Sequence, residues 1–207
     1  MSPKLVVVVV ATAAMMTLIV AGCGGSDEAT SSGADVGSST ESTQVVPFDR
    51  AFIDGMVPHH EQAFEMALDA KAAGLEEPVL VAIADAIISS QQGEIDRMKK
   101  WRAKWFGSTE IDPDGANGLG LDMEQMGMQS ERMDFSSEND VDAAFATMMV
   151  AHHEGAIEMA RLARDRGQHP EIKSLAAAII AAQQDELDVL KRFGGGGGHD
   201  MGDMGSG

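Results

Sequence analysis

Two stretches decide the fold: Met56-Val57-Pro58-His59-His60-Glu61-Gln62-Ala63-Phe64-Glu65-Met66-Ala67 and Met149-Val150-Ala151-His152-His153-Glu154-Gly155-Ala156-Ile157-Glu158-Met159-Ala160. Both read M-x-x-H-H-E-x-A-x-E-M-A, and together they hold four of the six histidines in the chain. Working outward, Phe52, Met56, His59, Ala63, Met66 and Ala70 recur at alternating spacings of four and three, as do Phe145, Met149, His152, Ala156, Met159 and Ala163. That spacing marks the buried seam of a helix packed against nearly antiparallel neighbours.

The repeat extends beyond the histidines. Gln91-Gln92-Gly93-Glu94-Ile95 matches Gln183-Gln184-Asp185-Glu186-Leu187. Met56 to Met149 is 93 positions and Gln91 to Gln183 is 92, so the first interhelical loop should be one residue longer than the second. The second segment carries Leu80, Ile83, Ile87, Gln91, Glu94, Met98, Trp101 and Trp105 at helical spacing; the fourth carries Ile172, Leu175, Ile179, Gln183, Glu186, Leu190 and Phe193. Pro78 and Pro170 stand where a first helical turn accepts proline, after Gly74 and Gly167. No segment alternates as a strand does. The expected fold is all-α: an antiparallel four-helix bundle made of two tandem hairpins, residues 47–106 and 139–193. Pro58, within the first helix, predicts a kink before the histidine pair.

The ends read differently. Lys4 precedes an apolar run from Leu5 to Val20 that is short for a membrane span, and Val20-Ala21-Gly22-Cys23 resembles a bacterial lipobox. Residues 1–22 are therefore expected to be a lipoprotein signal peptide, with Cys23 lipidated and anchoring the chain to the outer face of the cell membrane. Residues 23–46 form a Gly, Ser, Thr and acid-rich tether. Cys23 is the only cysteine, which excludes an internal disulfide and a Cys-based metal site. The formal charge is −18, and it becomes −19 once Lys4 leaves with the signal. Such a surface repels nucleic acid and draws in cations. The linker, residues 107–138, gathers Met123, Met126, Met128 and Met133; the tail, residues 194–207, holds His199, Met201 and Met204 behind a glycine run. Composition predicts that both are mobile, with these side chains as accessory metal-catching groups.

The seam places His59, Gln91, Glu94, His152, Gln183 and Glu186 where packing would favour Leu or Ala. Buried polar groups cost several kcal/mol each unless they pair with one another, with water or with a metal. Three readings follow. One is a hydrogen-bonded layer that only fixes helix register, in a structural or interaction lipoprotein. A second is a ferritin-type di-metal oxidoreductase, for which the seam supplies few carboxylates and no Glu-x-x-His. The third is a copper site, since imidazole and thioether together favour copper, Cu(I) above all. Its ligands would be Met56, His59, His60 and Met66 with Met149, His152, His153 and Met159, with Gln91, Glu94, Gln183 and Glu186 as supporting or alternative ligands. The second histidine of each pair is rotated about 100° from the first, which predicts His59 and His152 inside and His60 and His153 toward a groove or the surface. No nucleophile–base set or phosphate loop is visible, so catalysis is not expected.

These residues carry a resemblance. The run Phe48-Asp49-Arg50-Ala51-Phe52-Ile53-Asp54-Gly55-Met56-Val57-Pro58-His59-His60, its second copy and the paired Gln-Gln-x-Glu segments resemble the bacterial domain of unknown function 305 family over about residues 47–193. The resemblance implies a ferritin-like bundle, secreted or lipid-anchored, some of whose members are associated with copper. It carries over to the same eight Met and His positions, and a copper-handling role would make metal-donor or acceptor proteins the expected partners. Gly55 stands where the family often has Met, which removes one thioether.

Overall fold

The computed structural model describes residues 47–130 and 134–194. The expected signal region and tether, with Cys23, and Met133, His199, Met201 and Met204 lie outside the described residues. Four helices follow in order: α1 Phe48–Ala73, α2 Pro78–Phe106, α3 Val141–Arg166 and α4 Pro170–Leu190. Two short 3-10 turns, Gly115–Leu119 and Phe135–Ser137, interrupt the linker. The described residues form an all-helical four-helix bundle.

Local chemistry sets the helix ends. Proline opens both α2 and α4 at a position whose N–H has no intrahelical partner. Asp140 caps α3 by accepting the Ala143 N–H at 2.9 Å. Gly74 ends α1 with φ +105°, the left-handed conformation that glycine adopts without penalty, and its one-residue-shorter counterpart Gly167 ends α3 at φ −54°. The first loop spans residues 74–77 and the second 167–169, which accounts for the change of offset from 93 to 92. Pro58 does not interrupt α1, which continues as one helix through it.

The hairpins α1–α2 and α3–α4 meet mainly through α1 and α3, while α2 and α4 barely touch. Two exchanged caps bind the halves end to end. The Asp49 carboxylate, in the first turn of α1, accepts the N–H groups of Gln168 and His169, both at 2.8 Å. Asp142, 93 positions later in the first turn of α3, accepts those of Glu76 at 2.9 Å and Glu77 at 3.2 Å. Each half thus satisfies the amides entering the other half's second helix.

Every predicted seam residue of α1 and α3 is buried. The core divides into two apolar clusters. One gathers Phe52, Met56, Met98, Met159, Ile172 and Ile179; the other gathers Met66, Leu80, Ile87, Phe135, Phe145 and Met149.

The linker departs from its composition. Leu119, Met126 and Phe135 are buried in these clusters, and the 3-10 turn at Gly115–Leu119 lies along α1. Asp54 anchors its start. This fully buried carboxylate receives two N–H groups of Arg102, one at 3.2 Å, and the Arg50 Nε at 3.3 Å. Arg50 continues to Asp112 at 3.0 Å, and Arg102 donates to the Ser108 carbonyl at 2.9 Å. Gly55 belongs to the same junction: a Cβ there would lie 3.1 Å from Leu119 and 3.3 Å from Ala116. The glycine makes room for the linker where its repeat partner, Met148, carries a side chain.

Candidate metal centre

Between the two apolar clusters lies a polar layer. α1 supplies His59 and His60, α3 supplies His152 and His153, and α2 and α4 supply Gln91, Glu94, Gln183 and Glu186. The imidazole rings of His59 and His152 are 3.7 Å apart between centroids and inclined by 38°. The His59 and His60 rings are 6.3 Å apart.

One expectation is overturned here. His60 and His153 do not face a groove or the surface; both are fully buried. The rotation from the first histidine is present, but it turns each ring toward the second helix of its own hairpin. There a carboxylate accepts from it: His60 Nε2 lies 2.8 Å from Glu94 Oε2, and His153 Nε2 lies 2.6 Å from Glu186 Oε2. Glu61 and Glu154, by contrast, lie on the surface, each paired with a lysine of the same hairpin, Lys99 and Lys191, at 2.7 Å.

A third oxygen comes from the linker. His59 Nε2 lies 2.9 Å from the carbonyl of Met126. A carbonyl or carboxylate oxygen can only accept, so His59, His60 and His153 each donate from Nε2–H; in a neutral ring the remaining lone pair then lies on Nδ1. Those three Nδ1 atoms are buried without a partner. So are both ring nitrogens of His152 and the Oε1 atoms of Gln91 and Gln183. Among the described residues, every buried side-chain N or O without a hydrogen-bond partner belongs to this layer. Such atoms are costly unless a water or an ion meets them.

The electrostatics favour neutral imidazoles. Burial, reinforced by His60, lowers the pKa of His59 from 6.5 to about 3, against the opposing pull of the Met126 carbonyl. Burial and then His59 hold His152 well below the ordinary value. Neutral imidazoles with bare lone pairs are the form in which histidine ligates a metal, and no proton need leave first. An imidazole N–H held by a carboxylate or carbonyl on the far side of the ring is the arrangement that orients metal-bound histidines.

The methionines take positions above and below the layer. Met56 and Met159 lie together in one apolar cluster, Met66 and Met149 in the other, all nearly or fully buried. Met126 is buried, Met128 half-buried and Met123 exposed. The chemistry of the layer fits a soft or borderline metal, with thioethers flanking imidazoles. Among the described residues, no three imidazole, carboxylate or thiol groups already converge as a preformed ion cage. None of the described helices is long and apolar enough to cross a membrane.

Sequence reasoning did not single out Gln62 and Gly155, which occupy equivalent places in the two copies. Gln62 holds the linker, donating to the Gln129 carbonyl at 2.8 Å and accepting its N–H at 3.0 Å. Gly155 provides its seat: a Cβ there would fall 1.9 Å from the Met126 carbonyl oxygen. The inequality of the two copies at this one position was the available signal.

The family model described as domain of unknown function (DUF305) matches residues 32–102 and 49–193. The chain belongs to the DUF305 family. No curated protein matches it. Among solved structures, CopM in the Cu(I)-bound form is 30% identical at a TM-score of 0.57, over 70% of this chain and 93% of that one. A DUF305 fragment from Deinococcus radiodurans is 26% identical at a TM-score of 0.58, over 70% and 94%. A DUF305 protein from Streptomyces coelicolor shares the fold at 21% identity, with a TM-score of 0.64 over 72% and 92%.

Proposed function

We propose that this protein binds copper through the histidine layer of its bundle, and that it buffers the ion or passes it to a partner at the outer face of the cell membrane. One observation carries the reading: the orphaned lone pairs of the described core are concentrated in a single layer, on residues that favour copper. CopM, solved in Cu(I)-, Cu(II)- and silver-bound forms, supports the choice of metal. His59, His60, His152 and His153 would hold the ion, with Met56, Met66, Met149 and Met159 supplying thioethers as the flanking clusters adjust. Glu94 and Glu186 orient His60 and His153 and stay on the far side of their rings.

A layer serving only helix register would satisfy its own polar atoms, as such layers must to avoid the full desolvation penalty. This one does not, which favours the metal reading. Anchorage through a lipid on Cys23 is part of the proposal and rests on the lipobox-like Val20-Ala21-Gly22-Cys23. It places the site where exported copper is met, with an acidic surface that concentrates cations.

The test is an anaerobic Cu(I) titration against a competing chelator, using residues 47–194 so that the tail cannot contribute. Stoichiometric binding is expected for the wild-type sequence, and its loss for His59→Ala with His152→Ala in a protein that remains helical. Undiminished binding by the double variant would refute the assignment to this layer.

A further inference from the structure

Within the polar layer the two halves of the bundle correspond closely except where the linker crosses. His60 and His153 are each oriented by a glutamate from the paired helix, Glu94 and Glu186, 92 positions apart. His59 has no glutamate. Its oxygen comes from the Met126 backbone, and the chain there is held with unusual tightness for a glycine-rich linker. Gly127 adopts φ +67°, and a Cβ on it would lie 2.2 Å from the Ala151 carbonyl oxygen. Gly155 leaves space for the Met126 carbonyl group itself, and Gln62 grips Gln129 from both sides of its peptide. Three separate contacts therefore bring one carbonyl oxygen to one imidazole.

We propose that residues 122–130 are an orienting arm: the Met126 carbonyl, clamped by Gln62 and seated on Gly155, fixes His59 as its Nε2–H tautomer and keeps its Nδ1 lone pair bare within the layer. Gln62 and Gly155 are positioning residues, acting on the site only through the arm. The metal consequence rests on the copper reading; the tautomer consequence does not. A neutral imidazole without such an acceptor distributes its proton between both nitrogens, and the part of its population protonated at Nδ1 then presents the wrong atom.

Long-range 1H–15N spectra of the metal-free protein, at a pH where the imidazoles are neutral, read the tautomer directly. The wild type is expected to show His59 as the Nε2–H form. Gln62→Ala is expected to give a mixture of tautomers at His59 while His60 and His153, held by their glutamates, stay unchanged. The same variant should bind Cu(I) about tenfold more weakly with unaltered stoichiometry, the lower end of what losing an outer-sphere partner costs. Gly155→Ala, which removes the seat, should reproduce the tautomer change, and Gln62→Glu, which keeps the acceptor for the Gln129 N–H, should restore part of it. An unchanged His59 tautomer in Gln62→Ala and Gly155→Ala would overturn the proposal, as would unchanged Cu(I) affinity alongside a shifted tautomer. A shifted tautomer in a protein whose wild type takes up no Cu(I) would leave the arm standing and remove the copper reading instead.

Discussion

Lowering the pH from 7 to 5 is expected to cost the metal-free protein about 2 kcal/mol of folding stability through His59, and His152 adds a loss of the same sign. The sign follows from proton counting. In the unfolded chain both side chains titrate near 6.5; in the fold, burial lowers His59 to about 3 and holds His152 well below its ordinary value. Between those limits the unfolded state binds more protons, so stability rises with pH. It is fully present above 6.5 and drains away as the pH falls toward 3. The groups around His59 reinforce this: His60 and His153 are close enough to repel a proton, while the Met126 carbonyl and the His152 backbone oppose them. Urea unfolding at the two pH values checks it against His59→Gln with His152→Gln, in which ordinary carboxylate protonation remains and the two titrations are gone. The wild type should lose more than the variant, by ~2 kcal/mol from His59 and a further amount from His152. Equal losses would mean that the two rings are not held neutral by the fold.

The second large effect lies at the linker junction. Asp54→Asn is expected to destabilise the domain by about 3–5 kcal/mol, the cost of leaving a buried cation without its counter-charge. The Arg102 side chain is only 5% exposed and places two N–H groups on Asp54. Asparagine keeps the volume and one acceptor but not the charge, so the guanidinium stays buried and unpaired. The variant should also loosen the linker, because Arg102 carries the Ser108 carbonyl and Arg50 carries Asp112. Thermal unfolding and amide exchange across residues 108–130 read the two effects together. A change below 1 kcal/mol with intact protection in the linker would contradict this account. In the second half the same two positions are Thr147 and Gly194, joined by a single neutral hydrogen bond at 2.9 Å. The buried charge pair therefore belongs to the linker junction and not to the repeat.

That contrast shows what the sequence could and could not disclose. The helices, the seam residues and the one-residue difference between loops were legible because periodicity and duplication record packing directly. The polar layer was legible for the same reason, since His59, Gln91, His152 and Gln183 interrupt a pattern that burial otherwise keeps apolar. The environment of His60 and His153 was not. A single helical seam describes one contact face, whereas α1 and α3 each meet two neighbours, and the second face turned an expected surface histidine into a buried one. The linker was misread because glycine and aspartate content implied mobility, while Leu119, Met126 and Phe135 supplied the apolar anchors that order it. The most useful unread signal was the difference between copies. Gly55 against Met148 and Gln62 against Gly155 mark where a unique segment crosses an otherwise two-fold structure.

If the layer is where the ion binds, its bare nitrogens must be the atoms that change. The most direct measurement is a titration with Ag(I), a diamagnetic stand-in for Cu(I), followed through the imidazole 15N resonances of the chain with its tail present. The account predicts that Nδ1 of His59, His60 and His153 and a ring nitrogen of His152 shift together at the first equivalent, with Nε2–H of His60 and His153 retained against Glu94 and Glu186. Unmoved resonances for all four histidines, with the first equivalent taken instead by the methyl groups of Met123, Met201 or Met204, would contradict it.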